Sequence, residues 1–475
     1  MAVIAAFDLG TTALKCAVVD DKQNVLFSGK ENIKTYENES FIEQNPEEWW
    51  SAFLTLSSRF DSSIVDYIIF SGQMQDLYFV DKEGNSIGNA VLYNDQRGKE
   101  YVARIPEYVS KETSINIDGT IPITKMLWFK EHSPKTLEKA EYLMISAKDY
   151  LIFKLTGNSV SDTTNMATSG MMDIRTKKYI DLEGMVDGIK LPSIMYSDEV
   201  AGTVLPEVSE STGYRKSVEV FVGSGDAGAT TLASGVTKKG EFSVNLGTSG
   251  WVAAISDSPM EGVFNLAAIN RGLYINVIPV LNAAVVHNWV ARLLYGESED
   301  RYFKLHELLS TDEGNNRDLI CMPYLVGERF PVADDKVRGV FIGADLSTTK
   351  VDFARSALEG VAFSLRQGLE KQGIMATSVS LIGGGAAESV WNQIIANVFN
   401  APTKVFGDSD VLPSIMLSSV VLYGKGIINS YDEFITSVLD KQECKIYYPD
   451  KKESERYDIV FERFKKIYPS VRDCF

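Results

Sequence analysis

Residues 221–252 read FVGSGDAGATTLASGVTKKGEFSVNLGTSGWV, and how this stretch is read decides the fold. One apolar run ends in a Gly-Ser-Gly-Asp turn that carries Asp226, and a second ends in Leu-Gly-Thr-Ser-Gly at residues 246–250. A strand that stops at glycine leaves backbone N–H groups pointing outward, and such nests favour anions, phosphate above all. The neighbours of Asp226 are Gly223, Ser224, Gly225, Ala227 and Gly228, so little bulk keeps a substrate from its carboxylate. A bare carboxylate near a phosphate cradle suggests a general base for phosphoryl transfer. Taken alone, the stretch equally allows Asp226 to cap the following helix, ATTLASGV.

A repeat favours the first reading. Residues 8–20, DLGTTALKCAVVD, and residues 245–257, NLGTSGWVAAISD, align at a constant offset of 237. Leu9, Gly10, Thr11, Ala17 and Asp20 recur as Leu246, Gly247, Thr248, Ala254 and Asp257, with Thr12 answered by Ser249. Each copy is a β-hairpin pattern with small hydroxyl residues at its tip. Two related hairpins imply two related domains, whose tips could donate N–H and hydroxyl groups to one triphosphate from opposite sides of a cleft. Asp8 stands where the second copy has Asn245, as expected if only the first hairpin serves a Mg²⁺ ion through water.

A chain of 475 residues favours two domains of about 200 residues over one core. Hydrophobic content of 45% and charged content of 23% are those of an ordinary globular protein. A formal net charge of −17, without a basic stripe, argues against a nucleic-acid partner. Cys16, Cys321, Cys444 and Cys474 show no CxxC spacing, and His132, His287 and His306 are too scattered to suggest a His-based metal site. With no basic leader and no apolar run long enough to span a bilayer, the expectation is a cytoplasmic protein without a membrane partner.

Asn45-Pro46-Glu47-Glu48 starts a helix whose apolar face is Trp49, Phe53, Leu56 and Phe60. Residues 65–80, VDYIIFSGQMQDLYFV, give a buried strand that exits into Ser71-Gly72-Gln73-Met74-Gln75-Asp76, a binding-site address in α/β sheets. Lys15 alternates with apolar neighbours as an exposed strand lysine would. Asp149 to Leu155 reads as helix stopped by Gly157, and Asp162 as a loop-fixing residue. A long helix begins near Lys350. Residues 379–398 give strand, Gly383-Gly384-Gly385 and helix, where a base or ribose could lie on bare backbone. Past about Tyr431 the chain is charged and reads as peripheral.

FDLGTTALK, GSGDAGA, NLGTSG, PYLVGERFP and GGGAAESVWNQIIANVF, in this order, resemble the FGGY carbohydrate kinases, over roughly residues 3 to 425. The resemblance implies an α/β fold of two actin/Hsp70/hexokinase-like (ribonuclease H-like) domains with a cleft between them, here 1–230 and 231–475. It implies ATP and Mg²⁺ as cofactors, a small sugar as partner, and domain closure that excludes water, with a homodimer left open. On this resemblance Asp226 would take the proton of the sugar hydroxyl and Asp8 would hold Mg²⁺ through water. Gly10, Thr11, Thr12, Gly247, Thr248 and Ser249 would bind the phosphates, and Gly384, Gly385 and Ser389 would bind adenosine. Met74 and Gln75 stand in the family's sugar-contacting Gly-Gln-Met-His-Gly turn, and Asp95 and Arg97, in a stretch similar to its Trp-Asn-Asp-Gly-Arg, either orient sugar hydroxyls or form a structural ion pair. Xylulose-like ketopentoses lead. Gln75 and Asp76 in place of His and Gly, and Ala227 in place of a frequent Asn, depart from the xylulose pattern and keep gluconate, ribulose and polyols open. A sugar-free actin/Hsp70-like ATPase is the alternative from another class.

Overall fold

VIAAFDL is apolar on both faces up to Asp8, the pattern of a strand covered on both sides. Val3–Leu9 is that strand, β1, buried at every residue except the half-buried Asp8. The computed structural model describes residues 2–38, 41–247, 250–311, 316–373, 375–406, 412–441 and 444–475. After β1 come β2 (Ala13–Asp20), β3 (Val25–Asn32), β4 (Tyr67–Gly72), β5 (Val200–Thr203), β6 (Glu219–Phe221) and β7 (Ser224–Gly225). They form one sheet in the order β5-β6-β4-β1-β2-β3, with β7 also beside β4.

β1 runs antiparallel to β2 and parallel to β4, and β4 runs parallel to β7. Asp8 is therefore level with Ser71 and Ser71 with Ser224, while Leu9, Gly72 and Gly225 make the next row. Three parallel strands end together, and that shared edge positions the site. Helix α1 (Pro46–Ser57) starts as its sequence predicts: the Asn45 side chain accepts the Glu47 N–H at 3.0 Å, and Trp49, Phe53 and Leu56 are buried. Behind it lie α2 (Ala147–Thr156), ended by Gly157 at φ +75, then α3 (Thr163–Met166) and α4 (Asp226–Ala233).

The second sheet repeats this plan. β8 (Glu241–Asn245) is antiparallel to β9 (Gly250–Ser256) and parallel to β10 (Ser378–Ile382), which is parallel to β11 (Thr403–Phe406), itself antiparallel to β12 (Cys444–Tyr447). The repeat is one of topology more than of register, since Asp8 faces Lys15 whereas Asn245 faces Trp251 rather than Val252. Helix α5 (Lys350–Lys371) opens on a capping box in which Asp352 Oδ2 accepts the Thr349 N–H at 2.8 Å. Helix α6 is Ser389–Phe399.

The chain divides into two compact units, Met1–Thr237 with Asp257–Ile275 and Asp408–Lys441, and Lys238–Ser256 with Asn276–Gly407 and Gln442–Phe475. The expected cut between 1–230 and 231–475 divides the chain once, whereas these units interleave, with the first break after Thr237. Helix α7 (Leu412–Gly424) shows why. LPSIMLSSVVLYG has no polar stripe, so it needs cover all round, and it packs on β1, β2, β4 and α4 of the first unit. The charged C-terminal segment is also less peripheral than its composition suggests. Helix α8 (Lys451–Phe464) buries Tyr457, Val460, Phe461 and Phe464, with three of those rings against Phe363 of α5. Among the described residues no helix is long and apolar enough to cross a membrane.

Candidate active site

In the first unit, Asp8 near the end of β1 and Asp226 just past β7 lie on either side of β4, their strands two spacings or about 10 Å apart across the sheet. Asp8 Oδ1 accepts the Ser71 hydroxyl at 2.7 Å. Burial raises its pKa, against the Ser71 hydrogen bond and the Lys15 charge. Asp226 is the first residue of α4 and is half-buried; Gly225 occupies the cap position, so Asp226 is not the helix cap. Burial, then the charges of Asp8 and Asp162, push its pKa up to about 7, with the Ala227 N–H opposing. A carboxylate poised there can take a proton near neutral pH. Gly223 must be glycine: it sits at φ +68, and a Cβ would strike the Phe70 carbonyl.

The hairpin tip beside Asp8 is braced from below. Gln44 donates through Nε2 to the Thr11 carbonyl at 2.7 Å, and its Oε1 accepts from Gln73 Nε2 and Trp49 Nε1, both at 2.9 Å. The Gly10 N–H closes the turn on the Ala13 carbonyl at 3.1 Å, and Thr12 is exposed. The tip is thus rigid, with a hydroxyl facing outward.

The exit of β4 has its own geometry. Met74 packs its thioether beside Gly225, and Gln75 takes the left-handed conformation at φ +63. The wholly buried Lys125 donates to the Gln75 carbonyl at 2.9 Å and the Leu92 carbonyl at 2.6 Å. Burial lowers the Lys125 pKa to about 7, against Asp76 and Asp95. Asp76 is fully buried, and neither carboxyl oxygen has a hydrogen-bond partner of normal geometry among the described residues. Burial raises Asp76 well above the carboxylate range; Lys125 opposes this and Asp226 adds to it.

Asp95 and Arg97 are turned on each other rather than outward. Arg97 donates through Nε and Nη2 to the two Asp95 oxygens at 2.9 and 2.8 Å and through Nη2 to Glu43 at 2.7 Å; the Ile42 N–H binds Asp95 Oδ2 at 2.8 Å. Phe41 and Trp128 flank the guanidinium at 4.2 and 4.9 Å. Asp95 and Arg97 thus form a structural ion pair, one of the two roles their sequence leaves open, with both Asp95 oxygens engaged by it.

In the second unit, Gly247 follows β8 and its carbonyl accepts the Ala284 N–H at 2.9 Å; Thr248 and Ser249 lie outside the described residues. The three glycines after β10 differ. A Cβ on Gly383 (φ +86) would meet Asn245 Oδ1, and one on Gly385 would meet Leu246 and Trp391, so both are glycine for packing. A Cβ on Gly384 would meet nothing within 4 Å, so it offers the bare surface expected of all three. Ser389 begins α6. Just before it Glu388 accepts the Val390 N–H at 3.0 Å and His306 Nδ1 at 2.9 Å, with His287 Nε2 at 3.9 Å. Two of the three histidines therefore converge on one carboxylate, which their sequence spacing does not suggest.

Residues 3–233 match the model of the N-terminal domain of the FGGY family of carbohydrate kinases, and residues 242–412 match that of its C-terminal domain. The chain belongs to the FGGY family of carbohydrate kinases. It is 28% identical over 489 residues to the xylulose kinase of Staphylococcus epidermidis, across 99% of this chain and 97% of that one. It is 26% identical over 456 residues to the gluconokinase of Bacillus subtilis, across 90% of this chain and 88% of that one. Its fold matches the crystal structure of xylulose kinase from Rhodospirillum rubrum at a TM-score of 0.86, with 22% identity and 99% of each chain covered. As an FGGY kinase it is an ATP-using phosphotransferase with an alcohol group of a small sugar as acceptor, and the sugar-free ATPase alternative is set aside.

Sequence reasoning about this FGGY kinase missed Lys125, Lys148 and Asp149, each wholly buried. One signal was available: KDYLIFKL carries a charged pair at the head of a helix that is otherwise apolar almost all round, and such a pair needs partners inside.

Proposed function

We propose that this FGGY kinase transfers the γ-phosphoryl group of ATP to a hydroxyl of a neutral ketopentose, with xylulose the first candidate. Asp226 accepts the hydroxyl proton, the sugar oxygen bonds to the γ-phosphorus, and the bridging bond to ADP breaks. The half-buried Asp226 carboxylate, with its pKa pushed up to about 7, carries this reading. The tip at Gly10, Thr11 and Thr12 and the turn at Gly247, Thr248 and Ser249 are assigned to the phosphates, and Gly384, Gly385 and Ser389 to adenosine. Met74 and Gln75 are assigned to the sugar.

Asp8 suits a hydrated Mg²⁺, because its ionised form is disfavoured by burial and a cation would relieve that cost. When bound, Mg²⁺ neutralises charge on the transferring group.

The commitment of the nearby cations favours a neutral sugar over an aldonate. Lys125 is spent on the Gln75 and Leu92 carbonyls, Arg97 on Asp95 and Glu43, and Lys148 on Asp149 and Asp162. A sugar carboxylate beside Asp226 would meet a like charge, with Lys125, Arg97 and Lys148 already engaged by protein oxygens. Coupled detection of ADP across ketoses, aldonates and polyols tests this. Xylulose is expected to exceed gluconate by on the order of a hundredfold in kcat/KM, as a site without a partner for a buried charge should discriminate. Equal or better use of gluconate would overturn the ketopentose reading.

A further inference from the structure

Lys148 sits at the head of α2 with its ammonium wholly buried. It donates to Asp149 Oδ1 at 2.7 Å and reaches Asp162 Oδ1 at 2.9 Å. Buried ion pairs are poor sources of stability, because desolvation offsets most of the Coulomb gain. What this one does is orient a hub. Asp162 Oδ1 also accepts Asn165 Nδ2 at 2.5 Å, while Oδ2 accepts the N–H groups of Thr164 at 2.9 Å, Asn165 at 3.1 Å and Gly225 at 3.3 Å.

Gly225 is the residue before the base. One position earlier, Ser224 Oγ donates to Thr164 Oγ1 at 3.3 Å, and Thr164 Oγ1 in turn donates to the Ala267 carbonyl at 2.8 Å. The stem of Lys148 lies against Gly72, the strand neighbour of Gly225; a Cβ on Gly72 would be 3.1 Å from Lys148 Cβ. Gly225 has no side chain to lock its peptide, and glycine turns freely about its backbone. The hydrogen bond to Asp162 supplies that lock.

We propose that Asp162, oriented by Lys148, is a positioning residue for the phosphoryl-acceptor site: it fixes the Gly225 peptide and thereby the direction of the Asp226 carboxylate, without touching substrate. The inference rests on Asp226 being the base. Asp162 also acts on Asp226 through charge, together with Asp8 and Asp76; Lys125 faces Asp76, and Tyr78 and Tyr179 face Asp149.

The test is Asp162→Asn in the full chain, with Asp226→Asn in parallel. For Asp162→Asn, kcat should fall ten- to a hundredfold, on the order of what a misaligned base loses, with KM for ATP changed by less than about twofold. The acid limb of its kcat–pH profile should move to lower pH, because an anion that disfavours ionised Asp226 is gone. Wild-type kcat, or a lower kcat with an unmoved limb and a lowered Tm, overturns the proposal. Should Asp162→Asn not fold, Thr164→Val removes the hydroxyl link to Ser224 at nearly constant volume. It should lower kcat severalfold at unchanged KM for ATP, and an unchanged kcat overturns the bracket. If Asp226→Asn keeps its turnover, the base reading itself has failed; if Asp226→Asn is inactive while Asp162→Asn is normal, only the positioning role is lost.

Discussion

On the proposed reading Asp226 takes the proton of the sugar hydroxyl, and its environment makes a pH prediction. Burial and the Asp8 charge push it up to about 7, so kcat/KM should climb through a limb near pH 7 and level off above it. A profile flat from pH 5 to 8 would contradict this. The same shift bears on stability. A carboxyl group whose folded pKa is raised from 3.8 to about 7 binds its proton more tightly in the folded chain. It therefore favours folding fully at low pH, and that contribution is lost as pH rises through about 7. Asp226→Asn, always neutral, should melt at a higher temperature than the wild type at pH 8 and within error of it at pH 4, as calorimetry would show. Asp226 stands out in the sequence because its neighbours are small. Asp95 and Arg97 left two readings open, since a spacing of two residues does not say whether a guanidinium turns outward or back onto its own carboxylate, as it does here at 2.8 and 2.9 Å.

At the scale of elements, what is local was readable and what is long-range was not. The start of α1 at Asn45-Pro46, the glycine stop of α2 and the onset of α5 all follow from neighbouring residues. Thr349→Ala breaks the α5 capping box and should cost about 1 kcal/mol in urea unfolding while leaving both KM values alone. A shift in KM for ATP would mean that α5 does more than support its sheet. Gly223→Ala should be far more damaging, because its Cβ would collide with the Phe70 carbonyl and displace β7. We expect a loss of at least about 2 kcal/mol together with most of the turnover. The reach of Asp162 to Gly225, 63 residues apart, has no local signature, and neither does the convergence of His287 and His306 on Glu388.

On the scale of the whole molecule, the two hairpins announce two related units, yet the path of the chain between them was hidden. An apolar helix such as α7 says that it must be covered without saying by what. Because α7 covers β1, β2, β4 and α4, residues 1–237 expressed alone should expose that face, bind a hydrophobic dye and unfold without a cooperative transition. Native-like cooperative melting of that fragment would contradict the interleaved division. The account as a whole stands on a sugar hydroxyl giving its proton to Asp226, and one comparison reaches that claim most directly: sugar-dependent ADP formation by the wild type and by Asp226→Asn, with ATP binding measured by calorimetry on both. The account predicts that the variant binds ATP as the wild type does and loses about three decades of turnover. Turnover within a few-fold of wild type would remove Asp226 from the mechanism.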